Sequence, residues 1–226
     1  MNIGKSLGLA VTIVIASGCS TTKVDSVSNI KLPDYGGEAV VVMAKSYHTG
    51  NQTERSFTEC VVGKLQKGQN RLNVMTEADF KDAMYPWFEP RTAPNAIGDI
   101  PKLIENDKVA DRMRDTGVRY VVWLDGNTER PGGGGSLSCA AGPGGAGCFG
   151  FAWWENDSDY DAAVWDLEGA EEAGSVEANV TGTSYLPAII VPIPLIARTR
   201  STACRELASQ LRTFITSGDA PATGDR

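Results

Sequence analysis

The sequence predicts an α/β (α+β) fold, a single domain in which a mixed four- to five-stranded sheet carries about four packed helices. Two β-branched runs, Ala39–Ala44 and 118–124, are typical of buried strands. The stretches between the predicted strands place apolar residues on one helical face. The resulting order of strand–helix–strand–helix–helix–strand–strand–strand–helix fits helices packed on a mixed sheet. A chain of 226 residues, 42% of them hydrophobic, can build one such core.

The first predicted helix follows the Ala39–Ala44 strand. Ser56 and Glu59 have the spacing of a capping box, in which each side chain satisfies a free amide at the helix start. The predicted apolar face of this helix comprises Phe57, Val61 and Leu65.

Two further helices are predicted before the central strand. A short strand at 72–75 leads to Thr76, which is expected to cap a helix that ends before Pro86. Pro101 suits the first turn of a third helix, and Gly117 ends it. The residues expected to face the core are Phe80 and Met84 in the second helix, and Leu103, Val109, Ala110 and Met113 in the third.

The second half of the chain is predicted to hold the clearest strand, at 118–124, and then two long strands near 160–167 and 174–183. An acidic turn joins those two strands. Ser201 begins the last helix, and residues 218–226 are expected to be a disordered tail. The α/β domain is therefore predicted to span 38–217. The inward face of the last helix comprises Ala203, Leu207, Leu211 and Phe214.

Residues 1–18 have the pattern of an export signal. Lys5 supplies the positive start, and the apolar run at 7–15 is far shorter than the roughly 20 residues that span a bilayer. Small residues then precede Cys19. The segment Ala16-Ser17-Gly18-Cys19 resembles the bacterial lipobox, although that motif more often carries leucine where this chain has Ala16.

The resemblance implies a lipoprotein that is cut before Cys19 and carries diacylglycerol on its thiol, with palmitate-type acyl chains that anchor it in the bilayer. Ser20 follows the cysteine rather than aspartate, which implies the periplasmic face of the outer membrane. Residues 19–37 are expected to form a flexible tether. The alternative is an ordinary secretory signal with a free thiol on Cys19.

The other four cysteines are an even number, which suits two disulfides in an oxidising periplasm. Cys139 and Cys148 flank a glycine-rich loop and are expected to pair with each other. Cys60 and Cys204 each lie near the start of a predicted helix, and they can pair if those helices pack together. The alternative is one local bridge and two buried free thiols.

A second resemblance involves Gly117-Val118-Arg119-Tyr120-Val121-Val122 and Val164-Trp165-Asp166-Leu167-Glu168-Gly169. These pieces and the element order are similar to a recurring envelope domain of the curli-secretion lipoprotein, the lipoprotein activator of penicillin-binding proteins and the N-terminus of the Tol–Pal propeller protein. The whole chain is also similar to a group of proteobacterial lipoproteins. The resemblance implies protein binding or assembly and supplies no active site. The cysteine-bounded glycine loop and the 86–94 segment depart from it.

The sequence argues against most cofactors. His48 is the only histidine, which excludes a zinc site with several histidines. Residues 142–147 match the dinucleotide pattern G-x-G-x-x-G, but a strand at 148–153 rather than a helix is predicted to follow them, and a disulfide-closed surface loop is expected instead. The net charge of −7 at pH 7 disfavours nucleic acid. No cofactor is therefore expected.

One acidic stretch imitates a calcium loop. Asp157, Asp159 and Asp161 alternate, with Glu168 at the twelfth position. The sixth position is Ala162, where the sharp turn of such a loop needs glycine. A solvated acidic turn is the favoured interpretation, and no metal is predicted.

Two groups of aromatic residues are candidates for partner binding. Trp87 and Phe88 lie between prolines, and Trp153 and Trp154 follow the glycine-rich loop. Rigid loop aromatics are good anchors for a partner, but aromatics that cover the core are the favoured interpretation. The apolar stretch 186–197 is interrupted by prolines; a buried strand running into a turn is favoured over an exposed docking strip.

From these observations we expect a non-enzymatic, membrane-anchored envelope lipoprotein that docks or assembles with another envelope protein. A periplasmic module for a small ligand or glycan is the alternative, and a deep pocket lined by aromatics would favour it. A hydrolase is the third possibility, and it requires convergent carboxylates with shifted pKa values in a cleft.

Overall fold

One mixed sheet of eight strands organises the protein. The computed structural model describes residues 20–44, 53–89, 92–94, 97–218 and 224–225. The strands are β1 (Ser20–Ser28), β2 (Ala39–Ala44), β3 (Asn73–Met75), β4 (Val118–Glu129), β5 (Gly133–Gly142), β6 (Gly145–Asp166), β7 (Glu171–Ile190) and β8 (Gly224–Asp225). The helices are α1 (Arg55–Leu65), α2 (Glu77–Ala83), α3 (Ile100–Ile104), α4 (Asp107–Asp115) and α5 (Thr199–Ser217).

The strand order is β3-β2-β4-β6-β7-β1-β8, and β5 pairs with the part of β6 that β4 leaves uncovered. β2 pairs in parallel with β3 and β4, whereas the remaining pairs are antiparallel. The predicted α+β class with a mixed sheet is confirmed. The sheet is larger than the predicted four to five strands, because β1, β5 and β8 also belong to it.

The two faces of the sheet support two cores, because neighbouring residues of a strand point to opposite sides. On β4, Tyr120 and Val122 enter the core beneath α1 and α5, whereas Val121 and Trp123 enter the core beneath α2, α3 and α4. The Cys60–Cys204 disulfide links α1 to α5 across the first core. The pairing that was predicted for two packed helices is therefore present.

The helix starts confirm one predicted cap and contradict another. The Thr76 hydroxyl accepts the amide of Asp79, as the sequence predicts. The capping box at Ser56 and Glu59 is wrong, because α1 begins at Arg55 with Glu54 as its N-cap residue. The predicted third helix is two helices, and Asn106 caps the second of them.

The N-terminal segment corrects another prediction. Residues 20–28 were expected to belong to a flexible tether, but they form β1, which pairs along its whole length with β7. Thr22 and Val24 are buried, and this alternation is masked in the sequence by the polar residues between them. At the other end, part of the predicted disordered tail is β8, which pairs with Lys23 and Val24.

The signal segment 1–18, the predicted lipidation site Cys19 and His48 lie outside the described residues. Within the described residues, no helix has both the length and the apolar character needed to cross a membrane.

Candidate functional site

The long strands β6 and β7 extend beyond the helices and form the centre of an arm. We define the arm as β5, the outer part of β6 (145–154), the outer part of β7 (184–190) and the return segment 191–197. The sequence did not predict β5, whereas the predicted strand at 148–153 lies in the outer part of β6, and the stretch 186–197, predicted as a strand and turn, begins in the outer part of β7. The return segment lies against β7, where Tyr185 and Leu195 exchange backbone hydrogen bonds of 2.8 Å.

The arm carries no charged side chain. Residues 131–154 and 184–197 contain no aspartate, glutamate, lysine or arginine, in a chain in which 22% of residues are charged. Charges return at its base, with Arg130 and Glu155 at one boundary and Arg198 at the other. The arm therefore differs in chemistry from the acidic body that carries it.

One face of the β6–β7 ladder changes character step by step. Residues that pair directly across two strands lie on the same face, and each step of two residues advances about 7 Å. From the outer end towards the body, the pairs are Phe149–Ile189, Phe151–Pro187, Trp153–Tyr185, Glu155–Thr183, Asp157–Thr181, Asp159–Asn179 and Asp161–Glu177. The face thus runs from apolar, through one tryptophan–tyrosine pair, to acidic.

The apolar end of this face is open to solvent. Phe149 is 75% exposed and Ile189 is 76% exposed, and Phe151 lies 6.0 Å from Tyr185 between ring centroids. The return segment adds further exposed aliphatic side chains, namely Val191, Ile193 and Ile196. The stretch 186–197 was predicted to be a buried strand and turn. That prediction is wrong for most of it, because no element packs over these side chains within the described residues.

Buried hydrogen bonds fix the base of the arm to the body. The Ser184 hydroxyl accepts a hydrogen bond from the Asn156 amide and another from the backbone amide of Ala197, both at 3.0 Å. The hydroxyl of Ser158 donates to that of Thr199, at the start of α5, at 2.8 Å. These bonds tie β6, β7, the return segment and α5 together where the arm leaves the body.

The second disulfide lies within the arm. Cys139 and Cys148 are bonded as predicted, with their Cα atoms 4.1 Å apart on paired strands. The predicted surface loop is instead the end of a β-hairpin, with Pro143 and Gly144 in its turn. Strand rather than helix follows the glycines, so this segment lacks the helix N-terminus that a dinucleotide site requires.

The four predicted partner-binding aromatics are divided between two places. Phe88 is only 3% exposed and meets Phe80 edge to face at 5.1 Å, and Trp87 packs half-buried against the same core. Phe88 therefore covers the second core, as the favoured interpretation has it, and is corrected as a partner-binding residue. Trp153 and Trp154 lie half-buried on opposite faces of the arm.

The acidic part of the ladder face forms an open depression of about 270 Å³, whose carboxylates are Asp125, Asp159, Asp161 and Glu177. Burial raises the pKa of Asp161 to about 6, and the negative charge of Glu177 raises it further, against a backbone hydrogen bond that lowers it. Burial also raises the pKa of Asp159, beside Asp157.

These residues lie in strands β4, β6 and β7 rather than in a calcium-type loop or an acidic turn. Within the part of the chain that the structure describes, no group of three or more histidine, cysteine or carboxylate side chains could hold a metal ion.

No family model and no curated protein matches the chain. Two solved PelC dodecamers from Paraburkholderia phytofirmans, one of them a single-substitution variant, are each 14% identical to it and align over 87% of its length. The alignments cover 99% and 98% of the PelC chains, with TM-scores of 0.39 and 0.38.

Proposed function

We propose that the protein is a non-enzymatic lipoprotein of the cell envelope that is anchored through Cys19 and docks its arm at a membrane surface. In this proposal the anchor lies in the outer membrane, on the periplasmic side, and the α/β body remains available to another envelope protein. The observation that carries the proposal is the order of side chains along the β6–β7 ladder.

That order suits an arm whose outer face lies against a lipid bilayer. Hydrocarbon accepts Phe149 and Ile189, and moving each of these largely exposed side chains out of water is worth about 1.5–3 kcal/mol. Tryptophan and tyrosine concentrate at the boundary between hydrocarbon and water, where Trp153 and Tyr185 form the next amphipathic pair. Glu155 and the aspartates beyond it remain in water.

The exposure of these residues indicates that they contact an apolar partner rather than pack inside the fold. An apolar side chain that packs in a core is hidden in the folded chain, as Phe88 is. The outer residues of the arm remain exposed on paired strands that are fixed at their base, which is typical of a surface that meets an apolar environment.

The test measures how deeply the arm enters a bilayer while the Cys19 anchor stays intact. The acylated chain is reconstituted in vesicles of phosphatidylethanolamine and phosphatidylglycerol that contain a doxyl-labelled phospholipid, which quenches nearby tryptophan fluorescence. We expect Trp153 and Trp154 to be quenched, because both lie at the base of the arm, Trp153 on the apolar face and Trp154 on the opposite face. The other three tryptophans, Trp87, Trp123 and Trp165, lie in or against the second core of the body and supply the unquenched signal.

The deciding variant combines Phe149→Ser with Ile189→Ser, and it should reduce the quenching at least twofold. Its matched control combines Val27→Ser with Tyr85→Ser, two exposed apolar residues outside the arm, and should leave the quenching unchanged. A Trp153→Phe, Trp154→Phe chain identifies the signal. Equal quenching in the deciding and control variants would contradict docking through the arm.

One observation favours a second candidate function, a hydrolase. The raised pKa of Asp161, about 6, next to Glu177 on the paired strand, is the arrangement expected of a proton donor beside a carboxylate. Hydrolysis of glycan substrates that is lost in both Asp161→Asn and Glu177→Gln, and kept in Asp34→Asn, would support it. The glycan-binding alternative receives no comparable support, because the depressions are open rather than deep.

A further inference from the structure

We propose that the outer edge of β5 pairs, antiparallel and about a two-fold axis at Leu137, with β5 of a second copy of this chain. The proposal extends the proposed function, because unpaired backbone amides are most costly in an apolar environment. Its structural basis is the difference between the two edges of the arm.

The direction of the β5 backbone groups follows from its pairing with β6. Cys139 and Cys148 face each other with Cα atoms 4.1 Å apart, which is the close spacing of a non-hydrogen-bonded pair. At the other end of the strand, Glu155 donates its amide to the carbonyl of Gly132 at 2.9 Å. Even-numbered residues of β5 therefore bond to β6, and odd-numbered residues direct their backbone groups away from it.

The outward-facing residues of β5 are Gly133, Gly135, Leu137, Cys139 and Ala141. Within the described ranges, only β6 pairs with β5. Every residue of β5 is exposed, and none is charged or a proline. Natural edge strands are commonly protected by charges, prolines or covering elements, so this strand is an unprotected edge.

The opposite edge of the arm is blocked. Ile193 and Leu195 direct their amides inward, to the carbonyls of Pro187 and Tyr185 at 3.0 and 2.8 Å. The alternate positions, whose backbone groups point away from β7, are Pro192 and Pro194. Proline has no amide hydrogen to donate. Head-to-tail addition of one arm to the next would place β5 against this proline edge, so it is disfavoured.

A two-fold pair avoids the proline edge, because each β5 then meets an identical β5. Leu137 lies at the centre of the five outward residues, so it faces its own copy, and Gly135 faces Cys139 on either side. Each of these facing pairs exchanges two backbone hydrogen bonds. The two-fold axis is perpendicular to the sheet, so the two arms point in opposite directions while Phe149 and Ile189 of both copies lie on the same side. The joined apolar faces can therefore lie flat on one membrane surface.

The experiment uses the full acylated chain in detergent micelles and in the same vesicles. Particle mass is measured by light scattering, and a photo-reactive benzoylphenylalanine at position 137 reports contact across the axis. We expect a dimer and a covalent dimer band from position 137, but no such band from the same probe at the exposed position 205 on α5.

Proline and lysine substitutions test the edge. Leu137→Pro removes an outward amide without removing a bond to β6, and Leu137→Lys introduces the charge that protects natural edges. Each should weaken the dimer at least tenfold, whereas Leu137→Ala should preserve it. A wild-type monomer at micromolar concentration, a dimer that persists in both Leu137→Pro and Leu137→Lys, or open chains of higher order would overturn the pairing.

The two proposals fail separately. Quenching of Trp153 and Trp154 in a chain that stays monomeric would overturn the pairing and leave membrane docking in place. A covalent dimer from position 137 without such quenching would overturn membrane docking and leave the pairing in place.

Discussion

The hydroxyl of Tyr160 donates a hydrogen bond to Glu54 Oε2 at 2.6 Å and joins two residues that are 106 positions apart. The same hydroxyl lies 2.9 Å from the hydroxyl of Thr128, and the tyrosine ring stacks on Phe57 with centroids 3.4 Å apart. Glu54 is the N-cap residue of α1, so this contact fastens the start of α1 to β6 near the base of the arm.

Replacing Tyr160 with phenylalanine should lower the free energy of unfolding by about 1–2 kcal/mol, because the Glu54 carboxylate loses a buried donor while the ring stacking remains. Urea unfolding followed by circular dichroism measures the change. Tyr185→Phe is the control, since Tyr185 is exposed on the arm and its loss should cost less than about 0.5 kcal/mol. Equal losses in the two variants would show that the Glu54 contact contributes little.

Phe88 and Phe149 should respond in opposite ways to replacement by alanine. Phe88→Ala should cost about 3–5 kcal/mol of stability, because it leaves a cavity beside Phe80 in the second core. Phe149→Ala should change stability by less than about 0.5 kcal/mol in solution, because its side chain is exposed. Thermal unfolding of both variants in detergent-free buffer checks this, and a marginal loss in Phe88→Ala would contradict the buried position.

The body of the fold was predictable from local pattern. The buried run Ala39–Ala44, the Thr76 cap and the apolar face of α5 each follow from the spacing of a few residues, and all are present. β1 was missed because its inward residues are Thr22 and Val24, which stand among polar neighbours. A strand held by long-range pairing carries little local signal.

The candidate site was predictable only in part. The sequence indicates Trp153 and Trp154 as candidates for partner binding, and both belong to the arm. Trp87 and Phe88 have the same local composition, but nothing in a single sequence shows that the turn after α2 places Phe88 in the second core. The absence of charges over 131–154 and 184–197 was a usable signal for the arm. The exposure of the arm could not be predicted from the sequence, since an apolar run is equally typical of a buried strand.

The two disulfides should contribute unequally to stability. Cys60 and Cys204 close a segment of 144 residues, whereas Cys139 and Cys148 close one of 9. If a disulfide stabilises a protein by reducing the entropy of its unfolded chain, removing the two bridges should lower the free energy of unfolding by about 5 and about 3 kcal/mol, respectively. Unfolding of the Cys60→Ala, Cys204→Ala chain and of the Cys139→Ala, Cys148→Ala chain measures both. A larger loss from the pair in the arm would contradict this ranking.

The stability of the protein should also depend on the protonation of Asp161. Its pKa is raised from 3.8 to about 6 in the folded chain, so folding favours the neutral carboxyl. Below about pH 3, both states are largely protonated and the penalty is small. As the pH rises from about 4 to 6, the unfolded chain releases this proton first, so stability falls across that window and the full penalty persists above it.

Asp161→Asn should therefore raise the melting temperature at pH 7.5, and the gain should fade towards pH 4. Solvent screening at this exposed strand limits the gain to about 1 kcal/mol. Asp34→Asn removes the same charge from an exposed position outside the ladder, and it should show no such pH-dependent gain. Thermal melts of the three chains between pH 4 and 7.5 provide the measurement. A gain in Asp161→Asn that stays constant with pH would contradict this prediction, because a gain that comes from removing the ionised carboxylate must disappear when that carboxyl is protonated.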